Sequence, residues 1–140
     1  MEPLELGPTV REVSRRAAHL STIDQCLRTC GLFYSRFSIS GVSGSHTGDL
    51  VSINNKGRPA FDFVAKIADS TAEADVLFHG KIGNQLLGVS ASEAQQMDNK
   101  EGAKLLFDIC RAGCWWRANL ESREFAGEIF IIVKSIERET

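Results

Sequence analysis

Apolar and polar positions repeat with two different periods along this chain, and each change of period marks an element. From residue 61 to 67, Phe61, Phe63, Ala65 and Ile67 fall on one side, and Asp62, Val64 and Lys66 on the other. A period of two predicts a half-buried strand. The polar break Ala68-Asp69-Ser70-Thr71-Ala72 carries side chains that bond back to the local main chain and turn it. Val76 and Phe78 then oppose Leu77 and His79, so the two runs predict a hairpin. A short segment follows and ends at Gly88, placed where a helix would stop.

Toward the N-terminus the period lengthens. Leu6, Val10, Val13, Ala17, Leu20, Ile23 and Leu27 are spaced by three and four, which predicts a helix over 4–27. Ser21-Thr22 weaken its middle, so two shorter helices are the alternative. Gly31 opens a long strand over 32–42, with Phe33, Phe37 and Ile39 on one face and Tyr34, Arg36, Ser38 and Ser40 on the other. Gly41, Gly44 and Gly48 come next. Their spacing fits neither the dinucleotide fingerprint nor the Walker type, and no helix pattern follows to supply an amide cluster. The glycines are expected to let a long strand bend as it closes a barrel. Residues 54–59 then form a turn.

Beyond Gly88, Ser90-x-x-Glu93 starts one helix. Asp98-x-x-Glu101 starts another, which carries Leu105, Leu106, Ile109 and Cys110 and stops at Gly113. Residues 114–120 read as a strand with Trp116, Ala118 and Leu120 opposed to Trp115, Arg117 and Asn119. A polar turn ending at Gly127 leads to a last strand over 128–136. Five strands with a helix between the third and fourth is the order of an OB-fold barrel. The expected fold is mainly β: a helical segment, residues 1–30, packed on a five-stranded barrel, residues 31–140, in one domain.

Composition sharpens this picture. The chain has 140 residues, 43% apolar and 24% charged, as expected of one globular domain. Its net charge of −2 removes the simplest argument for a non-specific nucleic-acid binder, so a basic stripe must be argued residue by residue. No run approaches the ~18 apolar residues of a membrane span, and no signal-peptide pattern opens the chain. A soluble, intracellular protein is expected, with its four cysteines as thiols or metal ligands.

Asp69-Ser-Thr, then Glu73-Ala-Asp-Val-Leu-Phe78, then Leu86-Leu-Gly-Val-Ser-Ala-Ser-Glu93, is similar to the strand–strand–helix core of OB domains in the replication protein A and telomere end-binding families. The helix ending Leu106-Phe-Asp-Ile-Cys110, a glycine and a tryptophan-bearing strand resemble the C-terminal OB domain of the protection-of-telomeres family. The resemblance covers residues 37–136, and more weakly 8–13. Some members carry a resolvase-like insertion with a four-cysteine zinc site; here that position holds only residues 46–59. The resemblance implies a nuclear protein at chromosome ends, docking a telomere-capping bridging protein first and touching G-rich single-stranded DNA second. A structural subunit of a replication-protein-A-like complex is the third reading.

Single strands need aromatic planes for stacking and cations along the phosphates. The nucleic-acid candidates are Tyr34, Arg36, Lys66, His79, Trp115 and Arg117, with Lys56 and Arg58 in a loop. Packing under a terminal helix competes for Tyr34 and Trp115, and a solvated turn competes for the loop pair. Asp62 and Asp75 share a face with Lys66 and His79 and would repel phosphate. The last strand is apolar on both sides, so Phe130 and Ile132, rimmed by Arg123 and Lys134, are the partner-docking candidates. Self-burial is the competing reading. Cys26, Cys30, Cys110 and Cys114 are weak zinc candidates, because ligand pairs usually have two intervening residues and these have three. No His-Glu-x-x-His motif or nucleophile–base spacing is present, and no enzyme or cofactor is expected.

Overall fold

The structure, a computed structural model, describes residues 20–139. In chain order the elements are α1 (Ile23–Arg28), β1 (Gly31–Val42), a 3-10 turn (Thr47–Leu50), β2 (Val51–Ile53), β3 (Pro59–Ala68), β4 (Glu73–His79), α2 (Lys81–Leu87), α3 (Ala91–Gln96), α4 (Asn99–Ile109), β5 (Trp116–Phe125) and β6 (Glu128–Arg138).

One strand makes the closure. The first half of β1 pairs antiparallel with β5, from Gly31↔Ser122 to Phe37↔Trp116. Its second half pairs with β3, from Ser38↔Ala68 to Val42↔Ala65, with a register shift between Ile39 and Gly41. A bulge at this point bends the strand, and Gly41 leaves no side chain to resist it. The ring is completed by β5–β6, by β3–β4, and by a parallel contact between β4 and β6 at Val76↔Ile131 and Leu77↔Ile132. The barrel is an OB-fold. Its β2 is a short extra rung on the start of β3.

The period-two pattern fills the inside. Phe37, Phe61, Phe78, Ile67 and Leu120 are fully buried, and the Phe63 and Phe78 rings stack at 5.0 Å. The barrel's end is covered by α2, which approaches so closely that a Cβ on Gly83 would lie 2.4 Å from the Phe61 ring. The 3-10 turn is clamped by α3 and α4. Thr47 Oγ1 donates to the Ala94 carbonyl at 3.1 Å, and a Cβ on Gly102 would lie 2.7 Å from that same oxygen.

The local signals act as their chemistry predicts. Ser90 and Glu93 cap each other's main chain at the start of α3, Asp98 accepts from the Glu101 amide, and Gly88 ends α2 at φ 73°. Asp69 does more than turn the hairpin. One oxygen accepts from the Thr71 and Ala72 amides, at 2.8 and 3.2 Å; the other accepts from the Ile23 amide at 2.9 Å. That second bond fastens α1 to the barrel.

Three expectations need correction. The apolar pattern over 4–27 is not one continuous helix. Thr22 is the N-cap of α1, its hydroxyl taking the Gln25 amide, so the described helix starts at Ile23; residues 1–19 of that pattern lie outside the described residues. The fourth barrel strand does not end at Leu120 but runs to Phe125, leaving only Ala126 and Gly127 to turn at φ 55° and 82°. Both being positive, they form the tight hairpin connection that suits twisted strands. Polar Glu121-Ser-Arg-Glu124 remains in the strand because β6 lies alongside in register, with alternate pairs exchanging main-chain hydrogen bonds. Finally, β2 was not anticipated, as three residues carry too little periodicity to register.

Candidate functional site

Two outer faces of the barrel carry the candidate residues. On the first, the strand registers align a row across the barrel: Val64 opposite Leu77, Leu77 beside Ile132, Ile132 opposite Glu121, and Glu121 opposite Leu32. Val64, Leu32 and Phe130 are 40%, 63% and 48% exposed, and Leu77 and Ile132 are half-buried. Phe125 lies beside Phe130, ring centres 6.4 Å apart. Water therefore meets an apolar strip from Val64 through Leu77 to Ile132 and Phe130, with Leu32 beyond Glu121, and on a protein surface such a strip marks an interaction site.

The basic side chains around this strip stand beside acids. Lys66 stands opposite Asp75 and His79 opposite Asp62, each at 3.8 Å. Glu121 accepts from Arg123 at 3.0 Å and forms an ion pair with Lys134 at 3.6 Å. The Arg123 hydrogen bond, reinforced by its charge and that of Lys134, lowers the Glu121 carboxyl from its ordinary value. A polyanion approaching here would meet no net positive field. The docking candidates Phe130, Ile132, Arg123 and Lys134 are brought together on this face. Val64, Leu77, Leu32 and Phe125 belong with them and were missed. Each reads singly as an ordinary outward residue, and only the cross-strand register joins them.

The second face is the outside of β1–β5. Arg36 stands directly opposite Arg117. Two like charges in that position repel. Glu139 resolves this: its carboxylate accepts from Arg36 Nε and Nη2, each at 2.8 Å, and from Arg117 Nε at 2.8 Å. Hydrogen bonds from Arg36 first and Arg117 second hold the Glu139 carboxyl at about 2. The Glu139 amide donates to the Trp115 carbonyl at 2.9 Å, and the Arg36 guanidinium lies 4.2 Å from the centre of the Trp115 ring.

The eight nucleic-acid candidates thus do not form one site. Tyr34, Arg36, Trp115 and Arg117 share the β1–β5 face, while Lys66 and His79 lie on the β3–β4 face. Lys56 and Arg58 sit in an exposed turn, where Asn54 Oδ1 accepts from both of their amides. Tyr34 is only 6% exposed, so its ring offers no stacking plane. Outward direction on a strand does not make a residue accessible when neighbouring side chains cover it.

The cysteines are similarly divided. Cys26 is buried in α1 with its sulfur 3.5 Å from Ser35 Oγ, and Cys30 is exposed beyond the helix. Cys110 and Cys114 flank the Gly113 turn, and burial pushes the Cys26 and Cys110 thiols up. Among the described residues no group of three or more metal-ligating side chains is gathered.

No protein-family model matches the chain, and no curated protein matches it. Two of the solved structures that resemble it in shape bear on its fold. One is of a replication protein A heterotrimer bound to single-stranded DNA, with a TM-score of 0.61 and 12% identity over 95% of this chain and 36% of that one. The other is of fission yeast Pot1 and Tpz1, also at 0.61, with 10% identity over 86% of this chain and 91% of that one. The chain spans little more than a third of the first. At these identities the likeness is one of fold, the same OB barrel.

Proposed function

We propose that this chain is a non-catalytic OB module that docks an apolar segment of a bridging protein across β3, β4 and β6. The complex it joins would be nuclear and would protect single-stranded DNA at chromosome ends. The observation that carries this is the strip Val64–Leu77–Ile132 with Phe130, partly open to water and rimmed by basic side chains that already have acids beside them. Apolar burial without net charge suits a protein segment; a phosphate backbone would require free cations. Support of a different kind comes from the two structures of similar shape, one bound to single-stranded DNA and the other holding Pot1 with Tpz1.

The test is calorimetric titration of the chain with the corresponding bridging-protein segment of its own organism, at low and at high salt. The affinity is expected to change little with salt and to fall about 100-fold in Phe130→Asp or Ile132→Asp, the size of a central hot-spot loss. Steep salt weakening, or indifference to both substitutions, would remove the proposal.

A further inference from the structure

We propose that the outward side of α4 is a self-association surface, on which a second copy of this chain packs its own α4 antiparallel about a two-fold axis beside Leu106. The surface is separate from the apolar strip of β3, β4 and β6, and the inference stands without the docking proposed there.

A helix lying on a barrel needs one apolar side, and α4 has apolar groups on two. Gly102, Leu106 and Ile109 are buried toward the barrel. Phe107 points to water instead and is 76% exposed, more than any other large apolar side chain among the described residues. An open groove of about 510 Å3 runs along that side, lined by Glu101, Lys104, Leu105, Phe107 and Asp108. Residues three and four apart share a helix face, so Glu101, Lys104 and Asp108 form a row. Arg111, 3.6 Å from Asp108, extends the row past the helix end. At 3.6 residues per turn, Leu105 borders the row on one flank and Phe107 on the other.

The order of charge along the row says what fits it. At 101, 104, 108 and 111 it reads acid, base, acid, base, and reversed that order is its own complement. With two antiparallel copies centred on Leu106, Glu101 of each faces Arg111 of the other, and Lys104 faces Asp108, the reciprocal contacts of a two-fold interface. The same axis keeps each flank on its own side. Phe107 therefore meets its counterpart, and Leu105 meets its own. A uniformly acidic or basic partner helix would match half of the row and be repelled by the rest.

The single chain leaves these charges underused. Lys104 precedes Asp108 by four, the order in which a pair within one helix is weaker. Among the described residues the ion pairs of α4 are those of Asp108, with Arg111 at 3.6 Å and Arg138 at 3.7 Å. Two arginines share one carboxylate there, so Arg111 keeps donors for a second acid. The helix is short, about 16 Å at ~1.5 Å per residue, and the contact falls below the ~800 Å2 per partner of a standard complex. The dimer is accordingly weak, forming over roughly 0.01–1 mM. Contacts of that strength act when copies are held close together, where the effective concentration is on the order of mM.

The experiment is sedimentation equilibrium of the whole chain at concentrations up to about 1 mM. A monomer–dimer equilibrium is expected for the parent chain. Phe107→Ser should weaken it about tenfold or more, as loss of a central apolar contact does. Lys104→Glu alone, or Asp108→Lys alone, should weaken it roughly threefold to tenfold, because each sets like charges across the axis. An equimolar mixture of those two variants should dimerise again at near-parental strength. The acid introduced at 104 then faces the lysine introduced at 108, and the two native groups still face each other. Phe130→Asp should leave the equilibrium unchanged, so failure of the docking strip and failure of this surface are read separately. A parent chain that stays monomeric at about 1 mM would overturn the proposal. So would a dimer indifferent to Phe107→Ser, a mixture no stronger than its components, or a dimer lost in Phe130→Asp. Circular dichroism shows whether each variant is folded before its association is read. Should Asp108→Lys fail to fold, Glu101→Lys mixed with Arg111→Glu makes the same exchange.

Discussion

The two outer faces of this barrel handle charge in opposite ways. On β3–β4, register sets Lys66 opposite Asp75 and His79 opposite Asp62, so each basic side chain has an acid directly across from it. On β1–β5, register sets Arg36 against Arg117, and the two guanidiniums share the carboxylate of Glu139, just beyond the end of β6. The first face is electrically quiet and apolar at its centre. The second is held together by that shared carboxylate. The same residue types are therefore paired in different ways, and the pairing register makes the difference.

The sharpest way to break the comparison is to charge the quiet face. Phe130→Asp or Ile132→Asp should cost about 100-fold in docking while leaving the Glu139 titration on the other face unchanged. If that midpoint moves with either substitution, the two faces are coupled and the distinction fails.

Next in size is the tie between α1 and the β3–β4 hairpin. Asp69→Ala removes acceptors for three main-chain amides, of Ile23, Thr71 and Ala72, and is expected to cost about 1–3 kcal/mol in urea unfolding. Burial acts to raise the Asp69 carboxyl, but hydrogen bonds from Thr71, Ile23 and Ala72 prevail and lower it. Its folded value is thus below its unfolded one, so its contribution is present above the ordinary carboxylate range and is lost as the pH falls. An Asp69→Ala chain as stable as the parent, with an unchanged acid transition, would detach this residue from the fold's stability.

The β1–β5 face should respond to acid in its own way. Glu139 is depressed from 4.5 to about 2, chiefly by Arg36, so the clamp is fully formed above pH 4.5 and is lost as the pH falls through about 2. Carboxyl resonances followed by NMR should show Glu139 titrating near 2, and Arg36→Gln should raise that midpoint. A midpoint near 4.5 in the parent chain would mean that the arginines are not clamped. The smallest effect is expected on the quiet face. Lys66→Ala should change stability by no more than about 0.5 kcal/mol, because an exposed pair is screened by water and salt. A larger loss in thermal unfolding would show that the pair supports the barrel.

Much of this molecule was legible in its sequence. The strict alternation of Phe61–Ile67 and the Asp69-Ser-Thr turn both depend on interactions within a few residues, and both appear as read. The same holds for the Ser90/Glu93 box and the Gly88 stop. The boundary at Thr22 was half legible, since Ser21-Thr22 marked a weakness without saying that a cap would replace the helix. The length of β5 was not legible. Glu121 to Glu124 look like a turn until β6 lies beside them in register.

Sequence by itself determined which residues face inward, where helices start and stop, and that five strands with an interposed helix would close as an OB barrel. These depend on side-chain period and local hydrogen bonding, which act over a few residues. Tertiary structure alone decided that Lys66 and His79 stand beside acids, that Tyr34 is covered, and that Arg36 and Arg117 share one carboxylate 103 and 22 residues away along the chain. The reason is geometric. Alternation gives each side chain a face, but which charges meet across that face is set by the pairing register, and that exists only once distant strands have come together.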